Sequence, residues 1–296
     1  MKISNAIKEY LVECEIRKFT PRTLRGYKNH LNIFVTYCEE EGITEMEDVT
    51  LVVVRQFTQT MIKKGRKGTY INSLLKVIKV FIQYCYDEGY AAFNPKKNFK
   101  WVKEDKPVIM AFKPEHIKII MNNCKGNDYF SIRDLCIMSM FFETGIRALE
   151  LCSIKTADVH EDFIIIQGKN HKQRTVPITP ILKKSMMRYE RARENFFAYK
   201  TTEDYYFLSF SGRMLTNSGL RHMMAEKCEG IEGIRCSPHT CRHTWAQQQI
   251  KMGTDVYTIS RLLGHENIGI TQTYLNSLRD EDIVRMAKQN SVLMNL

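Results

Sequence analysis

The chain has 296 residues, 44% of them hydrophobic, enough for two domains with a core each. Its formal charge of +11 favours a polyanionic partner, although a basic surface can also be simply solvated. No apolar run reaches the roughly 18–20 residues of a membrane span. The start, Met1-Lys2-Ile3-Ser4-Asn5, has no secretory apolar region, and the nine cysteines include no C-x-x-C pair. A reduced, cytoplasmic protein without a disulfide framework or membrane partner is expected.

The first stretch reads as a helix, because Ile3, Ala6, Ile7, Tyr10, Leu11 and Cys14 form one apolar stripe. Thr20-Pro21 starts a second helix, with threonine as N-cap and proline at the first helical position. Its stripe is Leu24, Tyr27, Leu31, Phe34, Val35 and Cys38, and it ends before Gly42. A third helix spans about residues 49–64, and Gly65 and Gly68 break it. The fourth carries Ile71, Leu74, Leu75, Ile78, Phe81, Ile82 and Cys85 and stops near Gly89. These four helices predict an all-α domain over residues 1–92. Two basic clusters lie at its turns: Lys63, Lys64, Arg66 and Lys67, and Arg17, Lys18, Arg22, Arg25 and Lys28. Each is either a solvated face or a set of phosphate contacts.

Residues 93–111 read as a linker. They hold Asn94-Pro95 and five lysines, Lys96, Lys97, Lys100, Lys103 and Lys106. The segment is a solvated tether or a positive strap across a duplex. A second domain follows over residues 112–279, opening on a helix at Lys113-Pro114-Glu115. Residues 128–143 give a helix that is apolar on most faces and so belongs at the domain centre. Gly145 supplies its left-handed stop. Phe163-Ile164-Ile165-Ile166-Gln167 and Arg174-Thr175-Val176-Pro177-Ile178 flank the turn Gly168-Lys169-Asn170-His171-Lys172-Gln173, a hairpin with a basic tip. Helices resume near Pro180, with Thr216 and Ser237 as caps. The fold class is therefore mainly α with a small β-hairpin.

The C-terminal third carries the most specific pattern. It reads Pro238-His239-Thr240-Cys241-Arg242-His243-Thr244-Trp245, then Leu262-Leu263-Gly264-His265, then Thr271-Gln272-Thr273-Tyr274. His239 precedes Arg242 by three residues and Tyr274 follows His265 by nine. Upstream stands Thr144-Gly145-Ile146-Arg147-Ala148-Leu149-Glu150-Leu151. Together, in this order, these motifs resemble the signature of the tyrosine recombinases, the phage integrase family. The resemblance covers about residues 5–290 and is similar to the simpler Xer-like members without an arm-binding N-terminal domain. Cys241 stands where leucine is usual, Trp245 for phenylalanine and Ile270 for threonine, and none of these removes a catalytic group.

The resemblance implies a two-domain clamp around DNA, with an all-α, SAM-like core-binding domain and a mixed α/β catalytic domain. It implies a site-specific recombinase that breaks and rejoins strands through a 3′-phosphotyrosine and a Holliday junction. Tyr274 would be the nucleophile. Arg147, Arg242 and His265 would bind the phosphate, Lys169 would be the general acid, and His239 would take the tyrosine proton or orient the phosphate. Glu150 would hold the site from behind, and His243 would be structural. DNA contacts are expected from Arg22, Arg25, Lys63, Lys64, Arg66, Lys67, Lys96, Lys97 and Lys172. Planar guanidiniums suit non-bridging phosphate oxygens. They take the role a metal would fill, so no cofactor is expected. The implied partner is duplex DNA with inverted-repeat sites, bound by a homo-tetramer whose tail, residues 280–296, docks on the next protomer. Two other readings share the fold: a non-catalytic DNA-binding protein, and a type IB topoisomerase-like enzyme acting as a monomer. A zinc site at Cys236, His239, Cys241 and His243 is not expected, because the crowded spacing fits no usual structural site.

Overall fold

The computed structural model describes residues 1–96, 99–104, 110–168 and 172–275. The chain divides into two compact units, Met1–Pro107 and Val108–Leu296. The first contains α1 (Ile3–Ile16), α2 (Pro21–Glu40), α3 (Leu51–Lys63) and α4 (Gly68–Asp87). The expected Thr20 cap forms, its hydroxyl accepting from the Thr23 amide, and the Thr50 hydroxyl likewise accepts from the Val53 amide. The stripes meet in one core around Tyr10, Leu31, Phe34, Phe57, Leu74 and Phe81. Each such side chain contributes about 1.5–3 kcal/mol by leaving water.

The lysine-rich segment differs from a free tether over residues 99–104. Phe99 and Val102 pack against the first core. The buried Asn72 amide, on α4, donates to the Val102 carbonyl at 2.8 Å and accepts from its amide at 2.9 Å. This pairing copies a β-ladder and satisfies a buried polar group. Lys79 lies over the Phe99 and Trp101 rings. Apolar residues between the lysines therefore hold this stretch to α4. Lys97 lies outside the described residues.

The second unit runs through α5 (Pro114–Asn123), α6 (Tyr129–Thr144), α7 (Ala148–Cys152), β1 (Phe163–Gln167), β2 (Gln173–Pro177) and α8 (Pro180–Phe197). It continues with α9 (Asn217–Lys227), α10 (Pro238–Lys251), α11 (Val256–Leu263) and α12 (Ile268–Leu275). As its composition requires, α6 is buried on most faces and packs on both α8 and α10. The antiparallel hairpin pairs Ile164 with Val176 and Ile166 with Arg174. Ile164, Ile166 and Val176 face the core. A smaller cluster, Trp245, Ala246, Ile250, Ile259, Leu263 and Tyr274, joins α10, α11 and α12. Among the described residues, no helix is long and apolar enough to cross a membrane.

Candidate active site

The site is built where helices end. Gly145 closes α6 at φ 61° and Gly264 closes α11 at φ 64°. A helix C-terminus leaves carbonyls unsatisfied and carries partial negative charge. Arginines take up these carbonyls. Arg242, buried on α10, donates from Nη1 to the Gly145 carbonyl at 2.8 Å and from Nη2 to the Leu263 carbonyl at 2.7 Å. Arg147, the N-cap of α7, donates from Nη2 to the Gly264 carbonyl at 3.1 Å. Two sequence-distant helix ends thereby hold two guanidiniums side by side. Burial, then the charge of Arg147, pulls the Arg242 pKa down to about 10, so Arg242 stays charged at neutral pH.

Glu150 sits one turn behind. Its Oε2 caps the Arg147 amide at 3.0 Å and its Oε1 accepts from Arg147 Nη1 at 2.8 Å. Arg174, on β2, grips the same carboxylate with both Nη atoms, at 2.9 and 2.7 Å. Its Nε donates to the Leu262 carbonyl at 2.7 Å. Burial pushes the Glu150 pKa up, but hydrogen bonds and charge from Arg174, with Arg147 next, outweigh it and hold the group at about 2. Glu150, expected to hold the site from behind, contacts both Arg147 and Arg174. Arg174 was not anticipated.

Tyr274 reaches this centre from α12 and is 3% exposed. Its hydroxyl lies 3.1 Å from His243 Nδ1. Burial raises the phenol pKa, partly offset by the positive charges of Arg242 and Arg147. The His265 ring is parallel to the Tyr274 ring, with centroids 6.2 Å apart. His265 Nδ1 is fixed against the Thr271 hydroxyl at 2.7 Å. Burial, then Arg242, Arg147 and Arg174, lowers the His265 pKa to about 4, leaving a neutral ring. His239 stands exposed on the first turn of α10. Burial of part of its ring, then Arg242, Arg147 and Arg235, lowers its pKa.

Arg147, Glu150, Arg242, His265 and Tyr274 thus converge, while Lys169 lies outside the described residues. Lys172, expected on DNA, is exposed and pairs with Glu266 at 3.2 Å. Arg22, Arg25, Lys63, Lys64, Arg66, Lys67 and Lys96 are exposed. Of the zinc-type donors, Cys241 is fully buried in the core and His243 turns toward the tyrosine. His243, expected to be structural, lies against the Tyr274 hydroxyl, a contact the sequence reading did not foresee. Its signal was positional: His239, Arg242 and His243 lie at i, i+3 and i+4 on one helix face.

Residues 111–281 match the phage integrase family and residues 7–89 its N-terminal SAM-like domain. The tyrosine recombinase XerC of Thermodesulfovibrio yellowstonii is 30% identical over 85% of this chain and 84% of its own length. XerC of Anoxybacillus flavithermus is 28% identical, covering 93% of both chains. Solved structures share the fold at low identity. XerH recombinase bound to palindromic difH substrate aligns with a TM-score of 0.76 at 17% identity, covering 94% of this chain and 82% of that one. A lambda integrase dimer bound to a COC′ core site gives 0.74 at 14%, covering 95% and 97%. The paired arginines on two helix ends, the buried tyrosine between them and the match over both units make this chain a member of the phage integrase family, the tyrosine recombinases.

Proposed function

We propose that this chain is a site-specific DNA recombinase that cleaves and rejoins strands through a 3′-phosphotyrosine. The observation that carries the reading is the gathering of Arg147, Arg242 and His265 around the buried Tyr274 ring. The chemistry follows from what each group can do. The Tyr274 oxygen attacks phosphorus, and the bond energy is retained in a covalent link to the protein. Arg147 and Arg242 offer fixed N–H forks to the non-bridging oxygens, where charge develops. Their carbonyl and carboxylate partners set these forks before DNA arrives, so little reorganisation is needed during reaction. Neutral His265 donates a further hydrogen bond. Lys169 protonates the departing 5′ oxygen. The 5′ hydroxyl of another strand then attacks the phosphotyrosine and releases the enzyme.

The basic surfaces of both units bind duplex DNA, with Arg22, Arg25, Lys63, Lys64, Arg66, Lys67, Lys96, Lys97 and Lys172 as phosphate contacts. Four protomers pair two inverted-repeat sites and exchange strands through a Holliday junction in the cytoplasm. Residues 280–296 dock on the neighbouring protomer. A non-catalytic DNA-binding role is disfavoured by retention of the complete arginine, histidine and tyrosine set. The test is a suicide substrate carrying a nick near the scissile phosphate of the chain's own site. The wild type should give a denaturant-stable protein–DNA adduct and Tyr274→Phe none. Equal yields from both proteins would move the nucleophile elsewhere, and no adduct from the wild type would overturn the enzymatic reading.

A further inference from the structure

The structure assigns His243 as the general base that takes the proton of the Tyr274 hydroxyl. This rests on the reading of Tyr274 as nucleophile and adds a residue to its machinery. His243 projects from α10 beside Arg242, and its Nδ1 lies 3.1 Å from the phenol oxygen, within the reach a general base needs. The ring centroids are 5.4 Å apart and tilted by 57°, so the contact runs edgewise through the nitrogen rather than by stacking.

The groups around the pair define which way the proton moves. His243 is faced by His239 and Arg242 from its own helix. The tyrosine is faced by Arg242, by Arg147 at the start of α7, and by the His265 ring. Burial, then the charges of His239 and Arg242, lowers the His243 pKa, so the imidazole is neutral at pH 7 and has a lone pair to offer. Arg242 contributes in the opposite sense at the phenol, where it favours the tyrosinate. One guanidinium therefore keeps the base neutral and eases ionisation of the acid.

The step balances without an added reactant. His243 carries its own proton on Nε2 and accepts with Nδ1. As Tyr274 Oη forms its bond to phosphorus, the phenol proton passes to Nδ1 and the 5′ oxygen leaves with a proton from the general acid. The imidazolium that results sits beside the new phosphodiester, whose negative charge offsets it. On rejoining, the same proton returns to the departing phenol oxygen.

Single-turnover cleavage of the suicide substrate by His243→Gln tests this, because glutamine keeps a hydrogen bond but takes no proton. Cleavage should fall by roughly two to four orders of magnitude, while affinity for the site stays within a few fold. The rate should also lose the pH dependence that the wild type shows on the acid side, where protonated His243 no longer accepts. Replacing Tyr274 by a fluorotyrosine, whose phenol ionises more readily, should restore much of the His243→Gln rate, because a phenol already ionised needs no base. A purely structural histidine would give a variant whose loss is the same with tyrosine and fluorotyrosine at all pH values. That result overturns the assignment, as does a wild-type rate in His243→Gln. Absence of an adduct in the wild type itself would instead fail the nucleophile reading, so the two are distinguishable.

Discussion

At the residue scale, Glu150 joins catalysis to stability. It is 8% exposed and held by two arginines, so its charge is tolerable only while both remain. Its pKa falls from 4.5 in the unfolded chain to about 2 in the fold. The folded state therefore releases this proton more readily, and the stabilisation is full above pH 4.5 and lost as pH falls toward 2. A shift of that size corresponds to roughly 3 kcal/mol. Denaturant melts of the wild type should show this loss, and Glu150→Gln, less stable at neutral pH, should not show it. Parallel curves for the two proteins in that window would contradict the pairing. His265 behaves oppositely in cause but not in direction. The unfolded chain takes up its proton near 6.5 and the fold only at about 4, so stability also falls with pH across that higher window.

The residues that were hard to read share one physical reason: their partners are distant in sequence. Arg174 follows a basic turn and looks like more solvated charge. Strand parity carried a usable signal, since Arg174 and Val176 share one face of β2 and Val176 is buried. A charge on a core-facing position must have a partner. Arg147, Arg242, His265 and Tyr274 became candidates because they stand in short motifs that resemble those of the family. Lys169, residues 105–109 and the tail lie outside the described residues, and expectations for them stand as proposals.

At the element scale, the site depends on two helix stops. The carbonyl of Gly145 faces Arg242, and a Cβ at this position would lie 2.9 Å from both Leu263 Cδ2 and Trp245 Cε3. Left-handed backbone at a residue with a side chain costs about 1–2 kcal/mol, and here the clash adds to it. Gly230 offers the control, because its φ is 83° and nothing lies within 4 Å of an added Cβ. Thermal unfolding should show Gly145→Ala losing more stability than Gly230→Ala. Cleavage should drop only in the first, because shifting α6 or α10 displaces Arg242. Equal losses with full cleavage in both would show that the close approach is not required. The helices themselves were legible from stripes and caps, with ends within a residue or two. The linker's five lysines left tether and strap both open, while Phe99, Val102 and the distant Asn72 decide where residues 99–104 pack.

At the scale of the whole molecule, assembly is the property that one chain does not contain. Val292, Leu293, Met294 and Leu296 make the last residues of the tail apolar in sequence. Removing residues 280–296 should leave a protein that folds and binds one DNA site but does not pair two. Native gel shifts with two differently labelled sites measure this directly, and normal pairing by the shortened protein would favour a tail packed on its own domain. The proposed mechanism turns on a bond between Tyr274 and DNA. The most direct measurement is therefore peptide mapping of the trapped adduct. After nuclease and protease digestion, mass spectrometry should find a nucleotide joined through its 3′ phosphate to the peptide containing Tyr274. A nucleotide on any other residue, or one joined through a 5′ phosphate, would contradict the mechanism.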